Sequence, residues 1–333
     1  MSNPKKVIIA GLNNIPARNL VDYLLKTDCE ISLLDDGLVG QSVFGIPIVS
    51  IQTALVTTNE QAVIAIFSPR AFSAVSKKLR KKGLCPVSIE EFVIEHDLPR
   101  EIINFPANQD IASLTDVGSF FNDRLSKLTL NAIRDYWHSG DRAALTDIQQ
   151  SIFSIYFNES FLASDAMKVF VDVGAYDGDS YSSALDYFTG IEEAHLFEPL
   201  QSIDKSQLKN SGAVNVYSVC LGRDESMVSF TEQGLNSHSS KDGSISVMQK
   251  TLDSFQLNPT FIKVDVEGQD IEVLHGAEST LQHSKPVIAL SVYHRPEHLR
   301  QALELLSEKF NYQRFYLRKY SSSNDETVLY AVP

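Results

Sequence analysis

The stretch from Lys168 to Ser180, KVFVDVGAYDGDS, constrains the fold of this chain more than any other. It begins as an apolar, β-branched run, which is typical of a strand buried on both faces of a parallel sheet. The run breaks at Gly174 and Gly178, and an apolar spacing typical of a helix follows over residues 181–188. A strand, a glycine turn and a helix form the first unit of a doubly wound sheet, in which ligands bind at the carboxyl ends of the strands.

The glycine spacing and the charges of this loop indicate which nucleotide it can bind. Gly174 and Gly178 do not form the G-x-G-x-x-G pattern that lets backbone amides approach a pyrophosphate. The loop carries Asp172, Asp177 and Asp179 and no basic residue, so a pyrophosphate would be repelled. S-adenosylmethionine carries a sulfonium and an ammonium and no phosphate, and these charges would be attracted. The loop therefore favours this cofactor, and the alternative is a core strand followed by solvated aspartates.

A second acid is placed to complete this site. Glu198 follows an apolar segment and lies 24 residues after Gly174. An acid at about this distance, at the end of the second strand, accepts hydrogen bonds from ribose hydroxyls in such sheets. The predicted cofactor-binding residues are Asp172, Gly174, Tyr176, Gly178 and Glu198.

Composition and charge limit the class of protein. A chain of 333 residues suggests two domains, and its net charge of −13 argues against a nucleic-acid partner, whose phosphates require basic patches. The cysteines, Cys29, Cys85 and Cys220, are far apart and give no signal for a zinc site or a disulfide. The apolar run at residues 7–10 is too short for a signal-peptide core, and no run approaches the ~20 apolar residues of a membrane-spanning helix. These features predict a cytoplasmic protein without a membrane span, and they indicate no oligomeric state.

The chain divides into three predicted regions. Residues 1–95 predict a small Rossmann-like α/β domain, because strand and helix patterns alternate there. Its first turn has one glycine, Gly11, where a dinucleotide site requires three, which favours a structural or sugar-recognising role. Asp35, 24 residues after Gly11, leaves a residual ribose site as the alternative. Residues 96–162 predict a connection and a helical linker, and residues 163–333 predict the cofactor-binding domain.

A later strand carries charges on one face. In the segment Phe261–Gly268, apolar residues alternate with Lys263, Asp265 and Glu267. A central strand of a doubly wound sheet is covered on both faces, and burying an unpaired charge costs several kcal/mol. The three charges must therefore pair with one another or open into a cleft at the carboxyl end of the strand.

The predicted strands and a series of motifs together resemble one family. Five parallel strands with a terminal antiparallel pair form an α/β, doubly wound sheet like that of class I methyltransferases. The motifs occur in order along the chain, at Val171–Ala175 with Gly178-Asp179, Phe197–Pro199, Thr251–Asp253, Ile262–Gly268, Leu274–Ala277 and Glu326–Ala331. On these motifs, residues 155–333 resemble the FkbM-type S-adenosylmethionine-dependent methyltransferases.

The resemblance implies O-methylation of a hydroxyl on a saccharide, glycan or glycosylated metabolite. Fold and family fix the reaction class better than the substrate. Two other classes stay open: a nucleotide-sugar or NAD(P)-binding enzyme, and a non-catalytic binding protein on a methyltransferase scaffold.

A hydroxyl acceptor must lose its proton as the methyl group arrives, so the site needs a base. We predict His294 as this base, because histidine titrates nearest to neutral pH. Asp265 and Glu267 would orient it, bind the acceptor or hold a divalent cation, which is the less favoured route. Lys263 would neutralise these carboxylates. The alternative is that His294 only caps its strand and that Lys263 pairs with Asp265 as structure.

Overall fold

The computed structural model describes residues 4–157, 160–163, 167–200, 203–206, 208, 213–231, 238–239 and 245–333. The chain divides into two compact units. The first comprises Met1–Ser113, Asn131–Asp147 and Ser322–Asn324. The second comprises Leu114–Leu130, Ile148–Ser321 and Asp325–Pro333, so the predicted linker region is divided between the two units.

The first unit is built around a six-stranded sheet. Its strands are β1 (Lys6–Ala10), β2 (Glu30–Leu34), β3 (Ser42–Val43), β4 (Ile46–Val49), β5 (Gln61–Ile64) and β6 (Cys85–Ser88). They lie in the order β3-β4-β2-β1-β5-β6, and all neighbours are parallel except β3 and β4. The apolar pattern predicted β1, β2 and β5, whereas a proline interrupts the patterns of β4 and β6, and β3 has only two residues.

This unit has six α-helices among the described residues, and several of them begin at side-chain caps. They are α1 (Ile15–Leu25), α2 (Pro69–Lys81), α3 (Ile89–Glu95), α4 (Asn108–Ser113), α5 (Arg124–Ser139), which continues from residues of the second unit, and α6 (Ala143–Thr146). The side chain of Asn14 accepts the amide of Ala17 at 2.9 Å, and Ser88 and Glu91 form a capping box on α3. These side chains satisfy amides that a helix leaves without a partner in its first turn.

The second unit is built around a seven-stranded sheet and a smaller four-stranded one. Its strands are β7 (Val169–Val173), β8 (Glu193–Phe197), β9 (Ala213–Tyr217), β10 (Cys220–Leu221), β11 (Ser226–Thr231), β12 (His238–Ser239), β13 (Ile245–Lys250), β14 (Phe261–Val264), β15 (Val287–Ser291), β16 (Arg314–Lys319) and β17 (Thr327–Val332). The large sheet has the order β16-β17-β15-β14-β7-β8-β9, and the small sheet has the order β10-β13-β11-β12. In the large sheet β17 is antiparallel to both neighbours and all other pairs are parallel. The predicted doubly wound sheet with a terminal antiparallel pair is confirmed.

Helices cover the large sheet. They are α7 (Asp179–Tyr187), α8 (Asp270–His275), α9 (Glu278–His283) and α10 (His298–Glu304), which continues as a π-helical turn, Leu305–Lys309. Under α7, an aromatic and aliphatic core surrounds Phe170 and Tyr181, both fully buried. This packing fixes the carboxyl end of β7 relative to the first turn of α7.

The charged strand is shorter than its alternating pattern predicts. β14 ends at Val264, and Asp265 and Glu267 lie in the turn that follows. Glu267 has a φ of 52° and Gly268 a φ of 93°. The carboxylate of Asp270 accepts the amides of Val266 and Gly268 at 3.0 and 3.2 Å. These amides therefore bond to a side chain instead of to a neighbouring strand, and the strand ends in a turn.

The helical linker was also predicted too long. A helical pattern extends over residues 120–161, but only α5 is a long helix there, and α6 has four residues. Beyond it, the amide of Gln150 donates to the carbonyl of Lys319 at 2.7 Å, and Gln149 pairs with Lys319. The backbone therefore extends along β16, because this sheet edge offers hydrogen-bond partners that the local pattern does not reveal.

Candidate active site

The glycine turn after β7 is a point of close backbone approach. Gly174 has a φ of 78°, and a Cβ built there would overlap the carbonyl oxygen of Asp265, which follows β14. Gly178 has a φ of 89° and directly precedes α7. Glycine therefore permits both the left-handed turn and the contact between the ends of two neighbouring strands.

Glu198 follows β8 and is held by two backbone amides. Its carboxylate oxygens accept the amides of Tyr176 at 3.0 Å and Leu200 at 3.1 Å. Only 8% of Glu198 is exposed, and burial raises the pKa of its carboxyl. Tyr176 has a φ of 45° and a side chain that is partly exposed at the cavity. The glycine turn thereby fixes the orientation of the acid that the sequence assigns to the ribose.

Asp172 and Lys263 lie opposite each other on adjacent strands and form a buried ion pair. The Nζ atom of Lys263 lies 3.1 Å from Asp172 Oδ1 and donates to the carbonyl of Gly174 at 2.6 Å. Burial raises the pKa of Asp172 to about 6, although the charge of Lys263 opposes this rise. Neither oxygen of this carboxylate has a hydrogen bond among the described residues. Lys263 thus pairs with Asp172 and not with Asp265, the partner that the structural alternative proposed.

Asp265 lies under two tyrosines. The hydroxyl of Tyr156 donates to Asp265 Oδ2 at 3.0 Å, and that of Tyr293 lies 3.4 Å from Oδ1. The Tyr156 hydroxyl also lies 3.3 Å from the Ser291 hydroxyl at the end of β15. Burial, followed by the charge of Asp265, raises the pKa of both tyrosines well above the usual value. Both phenols therefore stay protonated and act as hydrogen-bond donors.

His294 is held from behind by a buried carboxylate. Its Nδ1–H donates to Asp270 Oδ2 at 3.0 Å, while Nε2 lies 3.4 Å from Asp265 Oδ1 and 3.7 Å from Glu267 Oε2. Burial alone would lower the pKa of His294, but the hydrogen bond and charge of Asp270, with the charges of Asp265 and Glu267, raise it to about 9. The hydrogen bonds from His294 and from His298 lower the pKa of Asp270 although burial opposes this.

These surroundings make His294 an imidazolium at neutral pH. A protonated imidazole cannot accept a proton, and His294 is not among the residues that line the cavity. Both observations argue against the role of base that the sequence predicted for it. The sequence predicted that His294 lies in a charged cluster at the carboxyl end of the sheet. In the structure, the carboxylates around His294 favour its protonated form, which cannot act as a base.

The same cluster has the atoms of a metal site. One ligand atom from each of Asp265, Asp270 and His294 lie within 4.8 Å of one another. Carboxylate and imidazole ligands could hold a divalent cation, but His294 must be neutral to do so. Because the imidazole already donates to Asp270 and its pKa is raised to about 9, a proton is favoured at this position.

A cavity of about 940 Å³ joins these groups at the carboxyl ends of β7, β8 and β14. Of the predicted site residues, Gly174, Tyr176, Glu198, Lys263, Asp265 and Glu267 line it, whereas Asp172, Gly178 and His294 do not. The carboxylates that line it among the described residues are those of Asp179, Glu198, Asp265, Glu267, Asp325 and Glu326. The described lining contains one lysine, Lys263, and no arginine. The cavity is therefore strongly acidic.

Several residues that line the cavity were not predicted as site residues. Tyr156 belongs to an aromatic cluster, residues 155–157, that precedes β7 in the sequence. Tyr293 directly precedes the predicted His294. Glu326 begins the last family motif, and its position at a sheet end could have indicated it. Phe153 also lines the cavity, and 87% of its surface is exposed.

The residues at this cavity fit S-adenosylmethionine. The described lining of the cavity is acidic, Glu198 is oriented beside the glycine turn, and the buried Asp172 carboxylate has no hydrogen-bond partner among the described residues. Residues 172–314 match the family model of the methyltransferase FkbM domain, which confirms the resemblance that the motifs predicted for this part of the chain. This family implies S-adenosylmethionine as methyl donor.

A solved structure has a similar fold. It is a methyltransferase FkbM from Methylobacillus flagellatus KT, with a TM-score of 0.75 and 20% sequence identity. The match covers 99% of this chain and 90% of that chain, so the fold likeness includes the N-terminal unit. No curated protein matches the chain in sequence. Among the described residues, every helix is too short or too polar to cross a membrane.

Proposed function

We propose that this protein transfers a methyl group from S-adenosylmethionine to a hydroxyl of a saccharide or of another glycosylated small molecule. The observation that carries the proposal is the acidic cavity in which the glycine turn after β7 meets a second set of polar and aromatic groups. Its volume of about 940 Å³ is near the upper end of the ~300–1,000 Å³ usual for ligand pockets. It therefore has room for an acceptor beside the donor.

The donor end lies along β7 and β8. Glu198 would accept the ribose hydroxyls, and Gly174 leaves the backbone accessible next to it. Asp172 and the acidic lining would attract the ammonium and the sulfonium. S-adenosylmethionine would supply the reaction with an electrophilic methyl group bound to a positively charged sulfur.

The acceptor end lies along β14, β15 and the start of β17. Asp265 has two tyrosine hydroxyls as donors, which fix its carboxylate while other lone pairs stay open to an acceptor hydroxyl. Phe153 presents an exposed aromatic ring at the rim of the same cavity. Hydroxyl-binding carboxylates beside an aromatic face suit a sugar ring, and alignment of the acceptor oxygen with the methyl group would supply much of the rate.

The cavity also argues against the other enzyme classes. A nucleotide sugar or a dinucleotide carries a pyrophosphate, which needs basic or amide-rich surroundings. The described lining offers six carboxylates, and its lysine is already paired with Asp172. An uncharged or cationic hydroxyl acceptor therefore suits the site better than a phosphorylated one.

A two-stage experiment tests the proposal. Differential scanning fluorimetry with S-adenosylhomocysteine, NADH and UDP-glucose should give a raised melting temperature only with the first ligand, because a ligand that binds the native state stabilises it. Transfer of a ¹³C-methyl group from the labelled donor is then measured over glucose, glucosamine, methyl glucoside and glucose 6-phosphate, with NMR to identify O-methyl products. Stabilisation by NADH alone, or methylation only at nitrogen or carbon, would contradict the proposal.

A further inference from the structure

Glu326 enters the cavity from the turn that joins β16 to β17. Its backbone has a φ of 52°, and its carbonyl accepts the amide of Tyr320 at 2.9 Å, which closes the turn. The preceding residue, Asp325, is tied back to Ser321 by a hydrogen bond to its carboxylate. The turn thus holds Glu326 in a left-handed conformation that is unfavourable for this residue type, and Glu326 lines the cavity.

Among the carboxylates that line the described cavity, Glu326 differs in that its side chain has no hydrogen bond or ion pair with a described residue. The others are engaged as follows: Asp179 accepts from Ser180, Glu198 from two amides, Asp265 from Tyr156, Asp325 from Ser321, and Glu267 lies 3.7 Å from the His294 ring. For Glu326, no side-chain hydrogen bond or ion pair occurs within the described part of the chain. Its carboxylate is therefore available to an acceptor, with no existing bond to be broken.

Charged groups on three elements surround this carboxylate. Asp265 lies after β14, Asp325 lies in the same turn, and Lys319 and Lys263 lie on β16 and β14. Burial, followed by the charges of Asp265 and Asp325, raises the pKa of Glu326 to about 7, although the two lysines oppose this rise. Tyr156 and Tyr293 also face the group, and both remain protonated. A carboxylate of this basicity can accept a proton near neutral pH, whereas His294 in its charged form cannot.

We propose that Glu326 is the base that accepts the proton of the acceptor hydroxyl. The inference rests on the proposed O-methyl transfer. As the O–H bond breaks, the proton passes to a carboxylate oxygen of Glu326, and the electron pair of that bond stays on the acceptor oxygen. A new O–CH3 bond forms from an electron pair of the acceptor oxygen while the S–CH3 bond breaks. The electron pair of the broken S–CH3 bond stays on sulfur, which becomes a neutral thioether. Glu326 then releases its proton to water.

The test compares Glu326→Gln with Glu308→Gln, a control at an exposed glutamate of the same unit. With ¹³C-methyl donor and the best hydroxyl acceptor among methyl glucoside, glucose and glucosamine, Glu326→Gln should lower kcat by at least about 100-fold at pH 8. Its affinity for S-adenosylhomocysteine should stay within about twofold, because the Glu326 side chain has no hydrogen bond or ion pair with the described residues that we assign to the donor. The wild-type kcat should rise with pH through about 7, and the residual activity of Glu326→Gln should lack this rise.

A second measurement needs no acceptor. The ¹³C resonance of the Glu326 carboxyl, assigned by its loss in Glu326→Gln, should titrate near pH 7 in the S-adenosylhomocysteine complex. Titration near 4.5, or turnover by Glu326→Gln close to that of Glu308→Gln, would overturn the role of Glu326 while the proposed function stands. Failure of the wild-type enzyme to methylate any of the three hydroxyl compounds, with donor binding intact, would instead overturn the proposed function together with this inference.

Discussion

The two units share one local arrangement at the carboxyl ends of their first two strands: an acid after the second strand accepts a backbone amide from the glycine turn after the first. In the first unit, Asp35 after β2 accepts the amide of Leu12 from the glycine turn at 3.1 Å. In the second, Glu198 after β8 accepts the amide of Tyr176 at 3.0 Å. In both, the glycine of the turn has a positive φ, and a Cβ there would overlap atoms beyond the strand end. The arrangement of strand, glycine turn and acid therefore has a structural role in both units and does not by itself indicate a binding site.

What differs is the space beyond the turn. In the first unit, Asn14 donates to the carbonyl of Ala65 at 2.6 Å, and Arg142 donates to the carbonyl of Ile66 at 2.9 Å. Arg142 also lies over the rings of Phe67 and Phe72. In the second unit, the same edge opens into the cavity of about 940 Å³. Comparison of the two edges teaches that unfilled space and unpaired acids indicate a ligand site better than the glycine turn does.

The largest expected difference concerns the two glycines. Gly174→Val should reduce the affinity for S-adenosylhomocysteine by at least about 100-fold, because the new side chain displaces the Asp265 backbone and strains the turn. Gly11→Val strains the first unit in the same way, through Ile66, and should leave that affinity within about twofold. Isothermal titration calorimetry on folded protein measures both. Unchanged affinity in a folded Gly174→Val protein would place the donor elsewhere.

The stability of the first unit, in which the edge beyond the glycine turn is filled, should depend strongly on the ion pair between Arg142 and Glu90. Arg142 donates three hydrogen bonds to Glu90, which is 1% exposed and also accepts from Tyr136 at 2.9 Å. Arg142→Met should therefore destabilise the first unit by about 3–5 kcal/mol, since it leaves a buried carboxylate without its counter-ion. Hydrogen exchange of peptides from β1 to β6 reports this locally.

The double variant Arg142→Met with Glu90→Gln is the matched control, and it should recover part of the loss. Donor affinity of the folded protein should be unchanged in both variants. A loss of donor affinity without faster exchange in β1 to β6 would mean that the first unit takes part in binding the donor.

The second unit, in which the same edge opens into the cavity, should lose stability around β14 and β15 as pH rises. The pKa of His294 is about 9 when folded and 6.5 in its reference state, so the folded protein binds this proton more tightly. The stabilisation is complete below about 6.5 and is lost as pH rises through about 9, with an upper limit of about 3 kcal/mol. Hydrogen exchange around β14 and β15 across this range measures it. His294→Gln should flatten the dependence, and an equally steep dependence in that variant would assign it to another group.

The smallest expected difference concerns the two acids. Glu198→Ala should weaken S-adenosylhomocysteine binding by about 1–3 kcal/mol, because it removes charge-assisted hydrogen bonds to the ribose. Asp35→Ala removes the acceptor for Leu12 and should cost about 0.5–1.5 kcal/mol of stability without an effect on the donor. Calorimetry and thermal unfolding on the same samples separate the two effects. Equal losses of donor affinity in both variants would contradict the comparison.

The sequence predicted what depends on local pattern. The strand before Gly174, the position of Glu198 and the antiparallel terminal pair follow from periodicity, glycine placement and spacing, and the structure contains all three. The choice of partners could not be predicted in this way. Lys263 pairs with Asp172 because the register of β14 and β7 places them opposite each other, and register depends on contacts far apart in the chain.

The protonation states were beyond sequence reasoning for the same reason. The imidazole of His294 is surrounded by three carboxylates that come from a different segment of the chain. Glu326 lies about 60 residues beyond Asp265, yet the charge of Asp265 raises its pKa. A residue type indicates a candidate base, but the surrounding fold decides whether it is charged.

The most direct test of the account is hydrogen exchange with and without saturating S-adenosylhomocysteine. The number of ligand molecules bound per chain is measured on the same protein. The account predicts one bound molecule per chain, with new protection in peptides that contain Gly174 to Gly178 and Glu198, and with no change in those that contain Gly11 to Asn14 and Asp35. Protection around Gly11 and Asp35, or a second bound molecule there, would contradict the claim that only the second unit has an open donor site.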